Sequence, residues 1–296
     1  MEDRIICSLC PRNCNAVRTK ETGNGFCGAG LLPEIARVAP HMWEEPCISG
    51  TKGSGTIFFS TCVLSCVFCQ NQKISTGGYG KKVSIEKLSE YFRILENEGV
   101  HNINLVSPTP YIDSIISAFE IYRPKLPIVY NTGGYEKAET IKRLEGIVDI
   151  YLPDLKYIRS DISRKYSGTG NYFEYASEAI DEMVRQTGKP VLDDSGIMQR
   201  GTIVRHLILP KNTKNSIEVL RYLDEKYGDK ILISLMGQYV PFGNAEKYPE
   251  INRHITAREY EKVLDVLSEL SLDGYAQELD SAKKDYIPDF DIDALP

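Results

Sequence analysis

Three cysteines, Cys62, Cys66 and Cys69, stand in the stretch FFSTCVLSCVFCQNQKIS (58–75) at spacing CxxxCxxC. Thiolates ligate iron–sulfur clusters and structural zinc. A site closed by protein alone takes four ligands. Three thiolates on a four-iron cubane leave one iron open to a small molecule; the other reading is a zinc loop that borrows a ligand from elsewhere. A second group, Cys7, Cys10, Cys14 and Cys27, has spacing CxxC-x3-C-x12-C. Four thiolates suit a closed tetrahedral zinc site or a second cluster. The eighth cysteine, Cys47, is expected to be a buried free thiol.

The chain has 296 residues and a net charge of −6. That charge argues against a nucleic-acid backbone as partner, since nothing supplies counterion release. No signal peptide is read at the N-terminus, and no apolar run is long enough for a membrane span. A cytoplasmic location is expected, where clustered cysteines point to metal rather than disulfides.

Positioning these thiols requires a scaffold. Apolar runs at 55–60, 103–107, 127–132, 149–155, 202–210 and 230–236 read as strands. Helical patterns lie between and after them, at 84–99, 111–122, 136–146, 173–188, 216–228 and 256–271, with Ser84 and Thr256 as N-cap candidates. Such alternation predicts an α/β fold with a parallel sheet. Loops after its strands would gather polar groups on one face. Residues 1–50 read as a cysteine-rich metal-binding module, 51–275 as the core and 276–296 as a tail, either a latch over the barrel or loose. His41, Glu44 and Glu45 are expected in a solvated loop.

The CxxxCxxC loop, with Phe68 before its third cysteine, resembles the signature of radical S-adenosylmethionine (SAM) enzymes. The continuation FCQNQKIS, with GSGTIFF (53–59), VRHLILP (204–210) and LMGQY (235–239), resembles the pyruvate formate-lyase activating enzymes and related proteins. That resemblance implies a partial (β/α)6 TIM-like barrel, a [4Fe–4S] cluster on Cys62, Cys66 and Cys69, and SAM on its open iron. It implies reductive cleavage of SAM to a 5′-deoxyadenosyl radical. SAM contacts are then expected from Phe68, Asn71, Asn131, Thr132, Asp154, Lys156, Arg205 and Gln238.

Departures from the family pattern are visible. Ser107, Pro108 and Thr109 stand where many members carry Gly-Gly-Glu, Asn131 replaces an aspartate, and Val240 replaces a histidine. Arg205 and His206, adjacent on one strand, must face opposite sides; Arg205 is expected in the site and His206 in the packing. The expected activity is hydrogen abstraction from a backbone glycine of a glycyl-radical enzyme, with flavodoxin or ferredoxin as electron donor. Two alternatives stand beside it: radical modification of a peptide or small metabolite, and a non-enzymatic iron–sulfur carrier or zinc interaction module.

Overall fold

The computed structural model describes residues 5–277 and 290–296. After a small hairpin of β1 (Ile5–Ile6) and β2 (Val17–Arg18), the chain enters a ten-stranded sheet. Its first part comprises β3 (Glu34–His41), α1 (Pro46–Ser49), β4 (Ser54–Phe59), α2 (Gln72–Ser75), β5 (Lys81–Lys82) and α3 (Ile85–Asn97). There follow β6 (Ile103–Val106), α4 (Ile112–Ile121), β7 (Ile128–Thr132), α5 (Ala138–Lys142), β8 (Ile150–Pro153), α6 (Ser160–Ser167) and α7 (Tyr172–Thr187). The last elements are β9 (Val191–Leu192), β10 (Met198–Leu207), α8 (Thr213–Tyr227), β11 (Leu232–Met236), α9 (Ala257–Glu269) and β12 (Asp273–Ala276).

The strand order is β12-β11-β10-β8-β7-β6-β4-β3-β5, with β9 beside β10. From β12 to β4 every neighbouring pair is parallel; β3 pairs antiparallel with both β4 and β5. The six expected strands are all present. Four more extend the sheet: β3, β12 and the two-residue strands β5 and β9. The strand β3 pairs with β4 from within the segment assigned to the cysteine-rich module, and β12, short and mostly exposed, adds a parallel edge. The expected caps form: the Ser84 hydroxyl accepts from the Lys87 amide at 3.2 Å, and Thr256 makes a capping box with Glu259.

Period-two alternation divides the strand residues between two cores. Outward residues such as Ile103, Tyr130, Tyr151 and Val204 pack in the layer shared with the helices. The alternate set, Val129, Ile150, Leu152 and Ile203, packs with Cys47 and Ile48 of α1. Thus α1 fills the inside of the curved sheet at its N-terminal end. Burial of Cys47 matches the expectation of a free buried thiol. Most of the tail lies outside the described residues. Its far end returns: Phe290 is buried edge-on against Phe58, with ring centroids 5.5 Å apart, and its carbonyl accepts from the Lys73 ammonium at 2.9 Å.

Candidate active site

Above the apolar plug the inner face turns polar. Asn104, Asn131, Asp154 and Arg205 continue the inward alternation of β6, β7, β8 and β10. The loops after the parallel strands complete a cavity of about 260 Å³. All eleven residues expected at the cluster and SAM site line it: Cys62, Cys66 and Cys69, then Phe68 and Asn71, and Asn131, Thr132, Asp154, Lys156, Arg205 and Gln238. The polar groups therefore gather at the C-terminal ends of the strands, where parallel α/β folds place their sites.

Two loops leave their strands through strained backbone. Thr61, just before Cys62, has φ +70°, and Ser107, just after β6, has φ +58°. Positive φ is costly for residues with a Cβ, most of all for a β-branched one, and is held only where surrounding contacts over-determine it.

Each thiol of the triad meets a hydrogen-bonding group. The Leu64 amide donates to Cys62 Sγ at 3.4 Å; the Ser167 and Ser75 hydroxyls lie 3.0 Å and 3.3 Å from Cys66 and Cys69 Sγ. Burial pushes the Cys62 thiol up to about 12 and raises Cys66 and Cys69 as well, with repulsion from neighbouring thiols adding to it at Cys62 and Cys66. Such thiols stay protonated unless a metal takes them. Phe68 is packed edge-on against Tyr239 at 5.9 Å, and the Tyr239 hydroxyl is held by the Ile251 carbonyl at 2.8 Å.

The charged floor is one network. Arg205 donates to Asp154 Oδ1 at 2.8 Å and to Asn131 Oδ1 at 2.7 Å. Lys156 pairs with the other Asp154 oxygen. Burial alone would push Asp154 up, but Arg205 and Lys156 beside it win and hold it below the ordinary range. Burial likewise opposes the Lys156 charge, and Asp154 overcomes it, so the ammonium is held charged. With both carboxylate oxygens taken, Asp154 serves to hold two cations at the cavity.

The expectation of a solvated loop at His41, Glu44 and Glu45 is corrected. Glu44 enters the barrel from the N-terminal end and lines the cavity with His41. Its carboxylate faces Arg205 Nη1 at 3.5 Å and accepts from the Asn104 and Asn131 amides, each at 3.2 Å. Glu45 is buried too, because Pro46 starts α1 inside the sheet and carries both acids with it. Glu136 does not line the cavity but supports Thr132, which does; the sequence hides this role, since Glu136 reads as the start of a helix. It is fully buried, and Thr109, Thr132 and Tyr130 donate to it. Thr109 is thereby engaged with Glu136. His206, as expected, packs away from the site, its Nδ1 2.7 Å from the Leu155 carbonyl.

Comparison with known proteins bears on this arrangement. The sequence model of the Radical SAM superfamily matches residues 56–223, more than half of the chain. The chain belongs to the radical SAM superfamily. Membership makes it an enzyme of radical chemistry that uses a [4Fe–4S] cluster and SAM, so the reading as an electron carrier or zinc module is not carried further. An uncharacterized protein of Methanocaldococcus jannaschii is 29% identical over 275 residues, covering 90% of this chain and 75% of that protein. In fold the chain is similar to HydG, a maturase of the [FeFe]-hydrogenase, with a TM-score of 0.52 and 17% identity over 75% of this chain and 50% of that one. It is similar also to methylornithine synthase, with a TM-score of 0.51 and 16% identity over 73% and 62%. The chain thus spans about half the length of HydG.

The donor set fits the radical SAM cofactors. Three half-buried thiols, each with a hydrogen-bonding neighbour, face one cavity that also holds two cations. Among the described residues no three His, Cys, Asp or Glu side chains converge at the spacing of a single ion. Cluster thiolates stand on separate corners of a cubane, so the triad has no need to converge. The N-terminal group does not converge on an ion either. Cys10, raised by burial to about 12, and Cys27, also raised, feel their neighbouring thiols, while Cys14 is exposed. No helix of the described residues is long and apolar enough to cross a membrane.

Proposed function

We propose that this radical SAM enzyme abstracts a hydrogen atom from a polypeptide segment of another protein, the backbone glycine of a glycyl-radical enzyme being the leading substrate. The observation that carries this reading is the rim of the cavity: Trp43 lines it and is 60% exposed, an aromatic surface offered to a segment that meets the site from outside.

In this reading Cys62, Cys66 and Cys69 hold the cluster, which with SAM supplies a carbon-centred radical when reduced by a low-potential donor such as flavodoxin or ferredoxin. The chain's own residues orient and shield. Phe68, pinned by Tyr239, would face the adenine. Lys156 and Arg205, kept aimed and charged by Asp154, would receive the SAM carboxylate. Asn71, Asn131, Thr132 and Gln238 offer neutral hydrogen bonds around the ligand. The apolar plug under Glu44 closes the far end of the barrel to water.

A second reading, modification of a small metabolite, draws on the polar floor, where Glu45 Oε2 and Asn104 Oδ1 are buried without a hydrogen-bond partner. The experiment that separates the two incubates the reduced, reconstituted enzyme with SAM and a glycyl-radical enzyme, and reads the glycyl doublet by electron paramagnetic resonance (EPR). Appearance of the doublet supports the leading assignment. SAM cleavage accelerated by metabolite extracts and by no protein would overturn it.

A further inference from the structure

Arg12 lies between Cys10 and Cys14 of the N-terminal group, yet its side chain ends on the triad loop. Its Nε donates to the Val63 carbonyl at 2.8 Å, one residue after Cys62. Its Nη1 donates to the Gly168 carbonyl at 2.8 Å and its Nη2 to the Ser167 carbonyl at 3.3 Å. Ser167 is the residue whose hydroxyl stands 3.0 Å from Cys66 Sγ, and that hydroxyl is also 2.9 Å from the Tyr157 hydroxyl. One guanidinium therefore ties the backbone beside one cluster cysteine to the backbone of the group that touches another.

The acceptors explain why an arginine is required. Ser167 ends α6 and Gly168 caps it in the left-handed region, φ +66°, so their carbonyls lack helical partners. The negative end of the helix also favours a cation. The triad loop is strapped to the same helix end: the Val67 amide donates to the Tyr166 carbonyl at 2.9 Å. A planar fork of fixed geometry can serve three carbonyls at once; a lysine ammonium on a flexible stem is not preorganised for it.

The guanidinium is in turn held from the N-terminal side. It stacks on the Phe26 ring at 3.8 Å, and Phe26 immediately precedes Cys27. Cys10 is buried, and its carbonyl accepts from the Asn13 amide at 3.2 Å, closing the turn that carries Arg12. Three members of the N-terminal cysteine group, Cys10, Cys14 and Cys27, thus flank Arg12 and the ring it stacks on.

We propose that Arg12 is a positioning residue that couples the N-terminal cysteine group to the cluster loop, so that the state of Cys7, Cys10, Cys14 and Cys27 sets how firmly Cys62–Cys69 is held. This rests on the triad as the cluster loop. It does not require that the N-terminal thiols hold a metal. The guanidinium touches neither cavity nor cofactor, so its effect is on the order of the loop and on the cluster in it.

The test compares full-length wild type, Arg12→Ala, Arg12→Lys, Cys10→Ser and the Arg12→Ala/Cys10→Ser double variant, anaerobically reconstituted and reduced. The readout is the decay of the SAM-responsive EPR signal in bathophenanthroline disulfonate, which isolates the triad cluster from other iron. Arg12→Ala and Cys10→Ser are each expected to speed the decay about tenfold. The double variant should be no faster than either, since both changes cut one connection. Arg12→Lys should fall between wild type and Arg12→Ala. Effects that multiply in the double variant, or an Arg12→Ala decay equal to wild type, overturn the proposal. Hydrogen exchange of the 62–69 amides needs no cluster: the same tenfold, non-additive loss of protection is expected. If the wild type gives no SAM-responsive signal, the triad assignment fails and this exchange result still decides the coupling. Should Arg12→Ala not fold, Arg12→Lys replaces it in the cycle, and lysine protection equal to wild type overturns the proposal.

Discussion

Glu44 and Arg205 meet inside the barrel, Oε2 3.5 Å from Nη1, although 161 positions separate them in sequence. The carboxylate comes from the N-terminal segment and the guanidinium from the fifth of the six expected strands. Removing one partner of a buried ion pair leaves a desolvated charge, at a typical cost of about 3–5 kcal/mol. Arg205 keeps Asp154, which places Glu44→Ala near the lower end, about 3 kcal/mol. Glu44→Gln retains an acceptor for the Asn amides and should cost less. Urea unfolding midpoints with unchanged slope check this. A loss below about 0.5 kcal/mol, the range of ordinary surface substitutions, would contradict the buried pairing.

Lys156→Ala removes one of two cations at the cavity and leaves Asp154 with Arg205 alone. SAM affinity of the reconstituted protein should fall about tenfold, about 1.4 kcal/mol. Calorimetric titration with SAM reads it directly. Unchanged affinity would confine Lys156 to its pairing with Asp154.

Glu136 predicts a pH signature in stability. Burial raises its carboxyl from 4.5 to about 7, and the hydrogen bonds from Thr109, Thr132 and Tyr130 offset only part of that. The folded state thus holds its proton more tightly than the unfolded one. The stabilisation is fully present below about pH 4.5 and is lost as pH rises through about 7, by about 3 kcal/mol at most. Glu136→Gln has no such proton to lose. Between pH 5 and 7.5 the wild type should lose stability relative to this variant, by thermal unfolding in parallel buffers. Parallel curves would show Glu136 ionised in the fold.

If the N-terminal thiols take zinc or additional iron on reconstitution, a Cys7→Ala/Cys10→Ala variant should lose it and keep four irons at the triad. Metal analysis by plasma emission checks the count. Identical metal content in variant and wild type would remove the second site.

Much of the fold and site is legible in the sequence because its signals are local. Apolar runs mark the six strands, and parallel pairing puts the loops that follow them on one face. Adjacent Arg205 and His206 have to face opposite ways, and they do. The edge strand β12, DGYA, carries no apolar signal, since most of it is exposed. The strand β3 sits in a segment whose cysteines and loops mask its alternation. Glu44 and Glu45 look solvated because two adjacent acids usually are; only the placement of α1 inside the sheet buries them. Glu136 has partners on two different strand ends and their loops, a relationship that no spacing in one segment displays.

The central claim is what the triad loop does with SAM. The decisive measurement is anaerobic reconstitution with iron and sulfide, reduction in the presence of SAM, and chromatography for 5′-deoxyadenosine, with Cys66→Ala in parallel. The expected result is 5′-deoxyadenosine from the wild type and none from Cys66→Ala. Equal production by the two proteins, or none from a wild type whose cluster is intact and reduced with its protein partner supplied, would contradict it.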